Sequence, residues 1–121
     1  MRGQKLFVRP IEAADHDAIR LFLASHAPSH APVPACGLVG KLLGDIVAVL
    51  AMEIMRDAVR VDGLVVAKEL RRKRIGRGML AELDAIAAKM ERQWLIARDD
   101  HEFLRRVGFS GEGVMRRKVS R

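Results

Sequence analysis

The first part of the chain mixes short apolar runs with polar and proline-containing stretches. The apolar run Leu6–Ile11, stopped by Pro10, predicts a strand. Asp15 then precedes apolar residues at helical spacing, so we expect it to be the N-cap of a first helix. The stretch from His26 to Pro34 has no apolar period and is rich in proline, which predicts a loop.

The middle of the chain has the pattern of consecutive antiparallel strands. Two apolar runs, Leu38–Leu43 and Ile46–Met55, flank Gly44-Asp45, and a glycine at the first turn position suits a tight hairpin turn. A second turn near Arg56-Asp57 returns the chain into the apolar run Ala58–Ala67. We therefore expect three antiparallel strands here.

The last third returns to a helical period. Apolar residues recur on one face between Arg77 and Met90, which predicts an amphipathic helix that covers one face of the sheet. The following buried strand, Trp94–Ala97, should run parallel to the strand before the helix, through a right-handed crossover. A short helix that ends at Gly108 and a strand over Val114–Val119 complete the predicted order.

Length and composition limit the class of protein. A chain of 121 residues fits one domain, 1–121. Its single cysteine, Cys36, excludes an internal disulfide framework and fits a reducing cytoplasm. We expect neither a secretory signal nor a membrane span, because no apolar run approaches the roughly 20 residues that a span needs. His26 and His30 have helix-turn spacing, but the nearby prolines and the lack of acidic or cysteine partners predict no metal site.

The net charge of +7 indicates an anionic partner, and CoA, nucleic acid and an acidic protein all qualify. Aromatic residues make up only 4% of the chain, with Trp94 alone and no tyrosine. Because single-stranded nucleic acids are held largely by stacking on aromatic side chains, this composition disfavours nucleic acid.

One stretch, Leu64–Leu80, combines these features: an apolar strand passes through a basic turn into a helix. Gly76 and Gly78 permit close backbone approach, and the first N–H groups of a helix are free to bind an anion. The same turn is crowded with cations, namely Arg71, Arg72, Lys73, Arg74 and Arg77. We therefore predict a site for a multiply charged anion at this strand-to-helix junction.

This junction resembles the acyl-CoA-binding motif of the GNAT N-acyltransferase superfamily, [Gln/Arg]-x-x-Gly-x-[Gly/Ala] at the start of a helix. The run from Lys73 to Gly78 fits it with Lys in the first place, and Arg71 matches an arginine that often precedes the motif. Arg72 and Arg74 replace glycines that family members often carry. The opening Val-Arg-Pro-Ile-Glu-Ala-Ala-Asp and the later run Phe103–Phe109 are similar to the family as well.

The resemblance implies an α+β GNAT-like fold: a mixed, mostly antiparallel sheet with a central parallel pair, flanked by helices on both faces. It also implies that N–H groups from about Arg74 to Gly78 hold the diphosphate of acetyl-CoA, and that the main chain of β-strand residues pairs with the pantetheine arm. The expected acetyl-CoA contacts are Leu64, Val65, Val66, Arg71, Arg72, Lys73, Arg74, Ile75, Gly76, Arg77 and Gly78.

Catalytic candidates are acids that interrupt apolar strands. An acid in such a strand is costly unless it is paired, functional or on the solvated face. Asp62 and Glu53 are the two, and either is a candidate base, acting through water. We prefer Asp62, because it has the same strand parity as Leu64 and Val66.

The general acid is less defined. The Tyr that the family often uses at this step corresponds to Leu104, and the Asn that often holds CoA corresponds to Ala97. Water, His101 or Ser110 remain as candidate acids.

These observations predict an acetyl-CoA-dependent N-acetyltransferase in the cytoplasm, acting on a small-molecule or peptide amine. The loop from His26 to Pro34 is expected to contact that amine. A homodimer is compatible with this interpretation. Two alternatives stay open: a non-catalytic acyl-CoA-binding or regulatory module of the same fold, and a basic nucleic-acid-interaction domain.

Overall fold

The computed structural model describes residues 5–27, 32–71, 74–97, 102–111 and 114–119. Their strands and α-helices follow the predicted order. They are β1 (Phe7–Pro10), α1 (His16–His26), β2 (Gly37–Leu42), β3 (Asp45–Ile54), β4 (Ala58–Val66), α2 (Ile75–Lys89), β5 (Trp94–Ala97), α3 (Glu102–Arg106) and β6 (Met115–Lys118).

The described strands form one sheet in the order β1-β2-β3-β4-β5-β6. Every neighbouring pair is antiparallel except β4 and β5, which are parallel and joined through α2. The predicted α+β class, with a mostly antiparallel sheet and one parallel pair, is confirmed. Parallel neighbours need a crossover connection, and α2 provides it.

Helices cover opposite faces of this sheet. Leu23 of α1 lies beside Val49 and Val65, which define what we call the α1 face. On the other side, the α2 face, the sulfur of Met79 lies against Gly40 of β2 so closely that a Cβ there would be 2.7 Å from it. Apolar side chains between these layers form the core. Its largest fully buried members include Ile19, Leu38, Leu50, Met79, Leu83, Leu95 and Met115.

Two element boundaries differ from the prediction. The β2–β3 turn consists of Leu43 and Gly44, one residue earlier than predicted, and both have positive φ, 51° and 86°. Positive φ at both central residues is the geometry that matches the twist of the flanking strands, so Asp45 pairs with Leu42 rather than turning. In addition, α2 begins at Ile75, not at Arg77.

Asp15 occupies the N-cap position of α1, as predicted, but its side chain makes no capping hydrogen bond to this helix. It ends a 3₁₀ turn, Ala13–Asp15, and its carboxylate accepts the N–H of Glu12 at 2.8 Å. The same carboxylate accepts both Nη atoms of Arg9 at 2.7 Å, with only 7% of the Asp15 side chain exposed. These charge-assisted hydrogen bonds fasten α1 to β1. They hold the pKa of the Asp15 carboxyl well below its usual range, with Arg9 as the largest cause.

We therefore expect Asp15→Asn to lower the free energy of unfolding at pH 7 by about 2–3 kcal/mol, because it removes the buried carboxylate and with it the short contacts to the partly exposed Arg9 guanidinium. A carboxyl with a depressed pKa contributes stability that is full above its unfolded pKa, about 3.9, and is lost as pH falls through the acid range. The gap between wild type and variant should accordingly shrink on acidification. Urea unfolding across pH 2–7 measures it, and a constant gap would contradict the assignment.

Asp17→Asn is the matched control. Its carboxylate also pairs with an arginine, Arg20 at 2.9 Å, but 88% of the Asp17 side chain is exposed. Exposed pairs contribute little, so this variant should unfold like the wild type.

The described pairing of β4 with β5 ends part-way along β4. The described ladder between β4 and β5 runs from Ala58–Trp94 to Val61–Ala97. From Asp62 to Val66, β4 continues along β3. This stretch of β4 borders the cavity from which the candidate site is built.

Candidate functional site

The candidate site begins where β4 passes into α2. A 3₁₀ turn, Lys68–Leu70, leads to Arg74, which has a left-handed conformation with φ of 65° and ψ of 15° at the N-cap of α2. The N–H of Gly78 donates to the carbonyl of Arg74 at 3.1 Å and closes the first turn. Because the N–H groups before that bond have no intrahelical acceptor, the amide donors for an anion are those of Ile75, Gly76 and Arg77. The expected set of amide donors, Arg74 to Gly78, therefore should not include Gly78.

Gly76 lets this first turn pack tightly. A Cβ on it would lie 3.0 Å from Cζ of Phe103 in α3 and 3.4 Å from Cδ2 of Leu64 in β4. The glycine at position 78 has a different neighbour, since a Cβ there would be 2.8 Å from Cδ2 of Leu6. Of the two glycines, Gly76 thus faces the cavity and Gly78 packs against the N-terminal residues.

Arg74 occupies a conformation that favours glycine, and this gives a stability prediction. A non-glycine residue in the left-handed region is destabilised by about 1–2 kcal/mol. Glycine avoids this cost, but its greater conformational entropy in the unfolded chain lowers the free energy of unfolding by roughly 0.5–1 kcal/mol. We expect Arg74→Gly to raise the free energy of unfolding by about 0.5–1 kcal/mol. The matched control, Arg77→Gly, places glycine inside the helix and should lower it by a similar amount. Chemical denaturation measures both, and a loss of stability in Arg74→Gly would refute the interpretation.

Arg71 connects the junction to α1. Its Nη2 donates to the carbonyl of His26 and its Nε to the carbonyl of Val66, both at 3.3 Å. The N–H of Lys68 donates to Nδ1 of His26 at 3.1 Å, so this ring nitrogen is an acceptor here. Arg71 therefore lies at the predicted anion site, and its guanidinium also fixes the end of β4 against the end of α1.

The main chain of β4 divides its hydrogen bonds between two sides. The N–H of Ala67 donates to the carbonyl of Val47 in the β3 direction. Since main-chain groups alternate along a strand, Val65 also turns its polar groups toward β3, opposite its register partner Val49. Leu64 and Val66 turn theirs away from β3, toward the side of β4 on which β5 pairs with Ala58–Val61. Of the three predicted strand residues, these two can offer main-chain pairing to a ligand, Val66 chiefly through its N–H, since its carbonyl accepts from Nε of Arg71.

A cavity of about 1110 Å³ lies beside this part of β4, and we call it the junction cleft. It is bordered by β4, the start of α2 and α3. Seven of the predicted ligand-contact residues line it: Leu64, Val66, Arg71, Arg74, Ile75, Gly76 and Arg77. Val65 and Gly78 do not line it, and Arg72 and Lys73 lie outside the described residues. Arg106 of α3 adds a further arginine to its wall.

Apart from Arg106, the α3 side of the junction cleft is apolar. Phe103 and Leu104 line it together with Ala97 at the end of β5. Leu104 therefore stands on the cleft wall with no proton to donate. Ser110 forms an isolated bridge with Arg116 and does not line the cleft, while His101 lies outside the described residues. Among the described candidates for a general acid, none thus borders the cleft.

A second cavity, of about 510 Å³, lies on the α1 face between the loop before β2 and strands β3 and β4. We call it the loop cleft. Its described lining is mostly apolar and comprises Leu23, Pro32, Pro34, Ala35, Cys36, Val49, Ala51, Met52, Glu53, Ile54, Arg60, Asp62, Gly63 and Val65. Pro32 and Pro34, in the described end of the predicted contact loop, thus line the same cleft as Glu53. The rest of that loop, residues 28–31, is outside the described residues.

The two clefts meet at an irregularity in β4. Ala51 pairs with Gly63 but Met52 pairs with Val61, so Asp62 is an extra residue opposite β3, which is a β-bulge. The bulge interrupts the alternation of side chains at Asp62, so strand parity with Leu64 and Val66 does not by itself assign its face. Asp62 instead lines both clefts, together with Arg60 and Gly63.

Arg60 brings the two candidate bases together. Its Nη2 lies 2.7 Å from Oε2 of Glu53, and its Nε donates to Oδ1 of Asp62 at 2.6 Å. Donation to Asp62 raises the pKa of the Arg60 guanidinium, which therefore stays charged. The Arg60 side chain is 17% exposed, against 56% for Glu53 and 34% for Asp62. Both carboxylates are thus accessible to solvent, and the guanidinium of Arg60 orients them.

The sequence interpretation missed Arg60, although the signal was present. A hairpin centred on Arg56-Asp57 sets Glu53 opposite Arg60, and that is the observed register. Residues two apart on a strand share a face, which adds Asp62 to the group.

The described part of the chain contains no group of three or more His, Cys, Asp or Glu side chains arranged to hold a metal ion. None of its helices combines the length and the hydrophobicity needed to cross a membrane.

Comparison with known proteins identifies relatives of this architecture. The family model described as the acetyltransferase (GNAT) family matches residues 5–109. No curated protein gives a significant sequence match.

Solved structures share the fold at low identity. A GNAT family N-acetyltransferase from Escherichia coli in complex with CoA superposes with a TM-score of 0.82 at 14% identity, covering 99% of this chain and 84% of that one. A GNAT family acetyltransferase from Brucella melitensis in complex with acetyl-CoA gives 0.76 at 15% identity, over 97% and 90%. The ribosomal-protein-S18-alanine N-acetyltransferase from Escherichia coli gives 0.77 at 14% identity, over 97% and 96%.

Proposed function

The chain belongs to the acetyltransferase (GNAT) family, and from that premise we propose that it transfers the acetyl group of acetyl-CoA to an amine. The observation that carries this proposal is the meeting of two clefts at the Asp62 bulge. One cleft presents helix amides and arginines suited to a nucleotide diphosphate, and the other presents carboxylates suited to an amine. A donor and an acceptor that enter from opposite faces of β4 would meet there.

The chemistry of the junction cleft fits acetyl-CoA. The amides of Ile75 to Arg77 lie at the positive end of α2, where phosphate oxygens bind favourably. Arg74, Arg77 and Arg106 add guanidiniums, the side chains best matched to phosphate. Leu64 and Val66 offer outward main-chain groups to the two amides of the pantetheine arm, so that the arm would extend along β4 toward the bulge.

At the bulge, the chain's own groups would position the reaction. The amine nitrogen attacks the thioester carbon; a C–N bond forms, the C–S bond breaks, and sulfur leaves with the electron pair. An N–H of β4 that faces the junction cleft, at Leu64 or Val66, would stabilise the developing oxyanion. The amine proton would pass to water held by Asp62 or Glu53, and the thiolate would take its proton from water, because Leu104 offers none.

Two measurements test the proposal. Calorimetric titration with acetyl-CoA should give saturable binding, and free thiol should then appear when amines from a chemically diverse panel are added. Binding without turnover on any amine would instead support a non-catalytic acyl-CoA-binding module. Absence of acetyl-CoA binding would overturn the proposal altogether.

A further inference from the structure

We infer that the acceptor is a primary amine carried on an apolar body, without a carboxylate next to the amine. This inference rests on the proposed function, because it assigns the loop cleft to the acceptor. It is drawn from the shape, lining and charge of that cleft alone.

The apolar walls of the loop cleft favour an acceptor with an apolar body. The cleft's described apolar lining includes Leu23 of α1, Pro32 and Pro34 of the loop, and Val49 and Val65 of the sheet. Burial of apolar ligand surface against such walls favours binding. Proline carries no N–H, so the two prolines reduce what the loop can offer to a polar ligand. An acceptor with a purely polar body would lose hydration here without regaining hydrogen bonds.

Three charged side chains line the loop cleft: Glu53, Arg60 and Asp62. Glu53 and Asp62 carry two negative charges, and Arg60 is the single cation among the described lining residues. Its guanidinium is already engaged by both carboxylates, at 2.7 and 2.6 Å. The described cleft therefore has a net charge of −1 (two acids and one arginine), within a chain of net charge +7.

This local reversal of sign favours a cation. An alkylammonium ion would be drawn to the carboxylates, which also leave a route for its proton once the amine is at the bulge. A carboxylate adjacent to the amine would approach Glu53 and Asp62 with like charge, and the engaged guanidinium gives it no free partner. Free α-amino acids should therefore be poor acceptors, whereas the corresponding amides and decarboxylated amines should be good ones.

The test uses acceptors matched in pairs. Phenylalanine amide and 2-phenylethylamine share the apolar body of phenylalanine but lack its carboxylate, and ethanolamine has an amine without that body. With thiol release as the assay, we expect kcat/KM for the first two to exceed that for phenylalanine and ethanolamine by about 30-fold or more. Equal or faster turnover of phenylalanine, glutamate or ethanolamine would overturn the inference while leaving acetyl transfer intact. Binding of acetyl-CoA with turnover of no amine would overturn both.

A specificity variant separates a charge effect from a general loss of activity. Glu53 is half exposed, so Glu53→Lys should fold, and it replaces the cleft's net charge of −1 with +1. The ratio of kcat/KM for phenylalanine to that for its amide should rise about tenfold or more in this variant, whatever happens to the absolute rates. An unchanged ratio would show that the carboxylates do not select the acceptor.

Discussion

Reversing the charges of Arg74 and Arg77 should weaken acetyl-CoA binding about 100-fold, which is roughly 2.7 kcal/mol. Both side chains line the junction cleft beside the free amides of α2, where a diphosphate would contact helix dipole and guanidiniums together. The double variant Arg74→Glu/Arg77→Glu should still fold, because an acid in the first turn of a helix suits its dipole. Calorimetry at low salt measures the dissociation constant.

The control for this variant is Arg56→Glu/Lys89→Glu. Each pair of changes lowers the net charge by 4, from +7 to +3, so the effect on overall charge is the same. Arg56 and Lys89 are exposed and line neither cleft. We expect the control to retain acetyl-CoA binding within about threefold, because charges farther away than a Debye length are largely screened. Equal losses in the two variants would mean that binding depends on net charge and not on the junction.

Replacing Asp62 by Asn should lower kcat about 100-fold with the best amine found and leave the dissociation constant of acetyl-CoA unchanged. Asp62 is the acid that borders both clefts, so its carboxylate is placed to accept a proton where the amine and the thioester would meet. The substitution keeps the size of the side chain and removes its charge. Timed assays of thiol release give kcat, and calorimetry gives the dissociation constant of acetyl-CoA.

Asp45→Asn is the matched control, since Asp45 is an exposed acid at the start of β3 and lines neither cleft. It should keep full activity. Glu53→Gln should have a smaller effect than Asp62→Asn, because Glu53 borders the loop cleft only. The reverse order of these two variants would assign the proton transfer to Glu53.

Much of the fold follows from the hydrophobic pattern, because the strands are largely buried and the turns are short. A hairpin centred on Arg56-Asp57 is compatible with the observed register of β3 and β4 from Ile54–Val59 to Met52–Val61, but not beyond the bulge. The crossover through α2 made β4 and β5 parallel, as the chain order requires. The junction of β4 and α2 was likewise placed correctly, since a strand that passes through a glycine-containing turn into a helix has few alternatives.

The details of the site depend on features that the spacing of hydrophobic residues does not reveal. The bulge at Asp62 inserts one residue, and a single inserted residue interrupts the alternation of side chains along the strand. Arg74 has a left-handed conformation that a side chain disfavours, so its sequence alone does not predict it. The contacts of Arg71 with His26 join residues far apart in sequence, so only the folded chain brings them together.

The central claim is that the first turn of α2 binds the diphosphate of acetyl-CoA. Titration of the ¹⁵N-labelled protein with acetyl-CoA, followed in ¹H–¹⁵N correlation spectra, tests it most directly. The predicted result is that the amide signals of Ile75, Gly76 and Arg77 show the largest saturable shifts. The signal of Gly78 should shift less, because its N–H donates to the carbonyl of Arg74. Saturable shifts that spare these three amides and fall elsewhere, such as on the basic strand β6, would contradict the account.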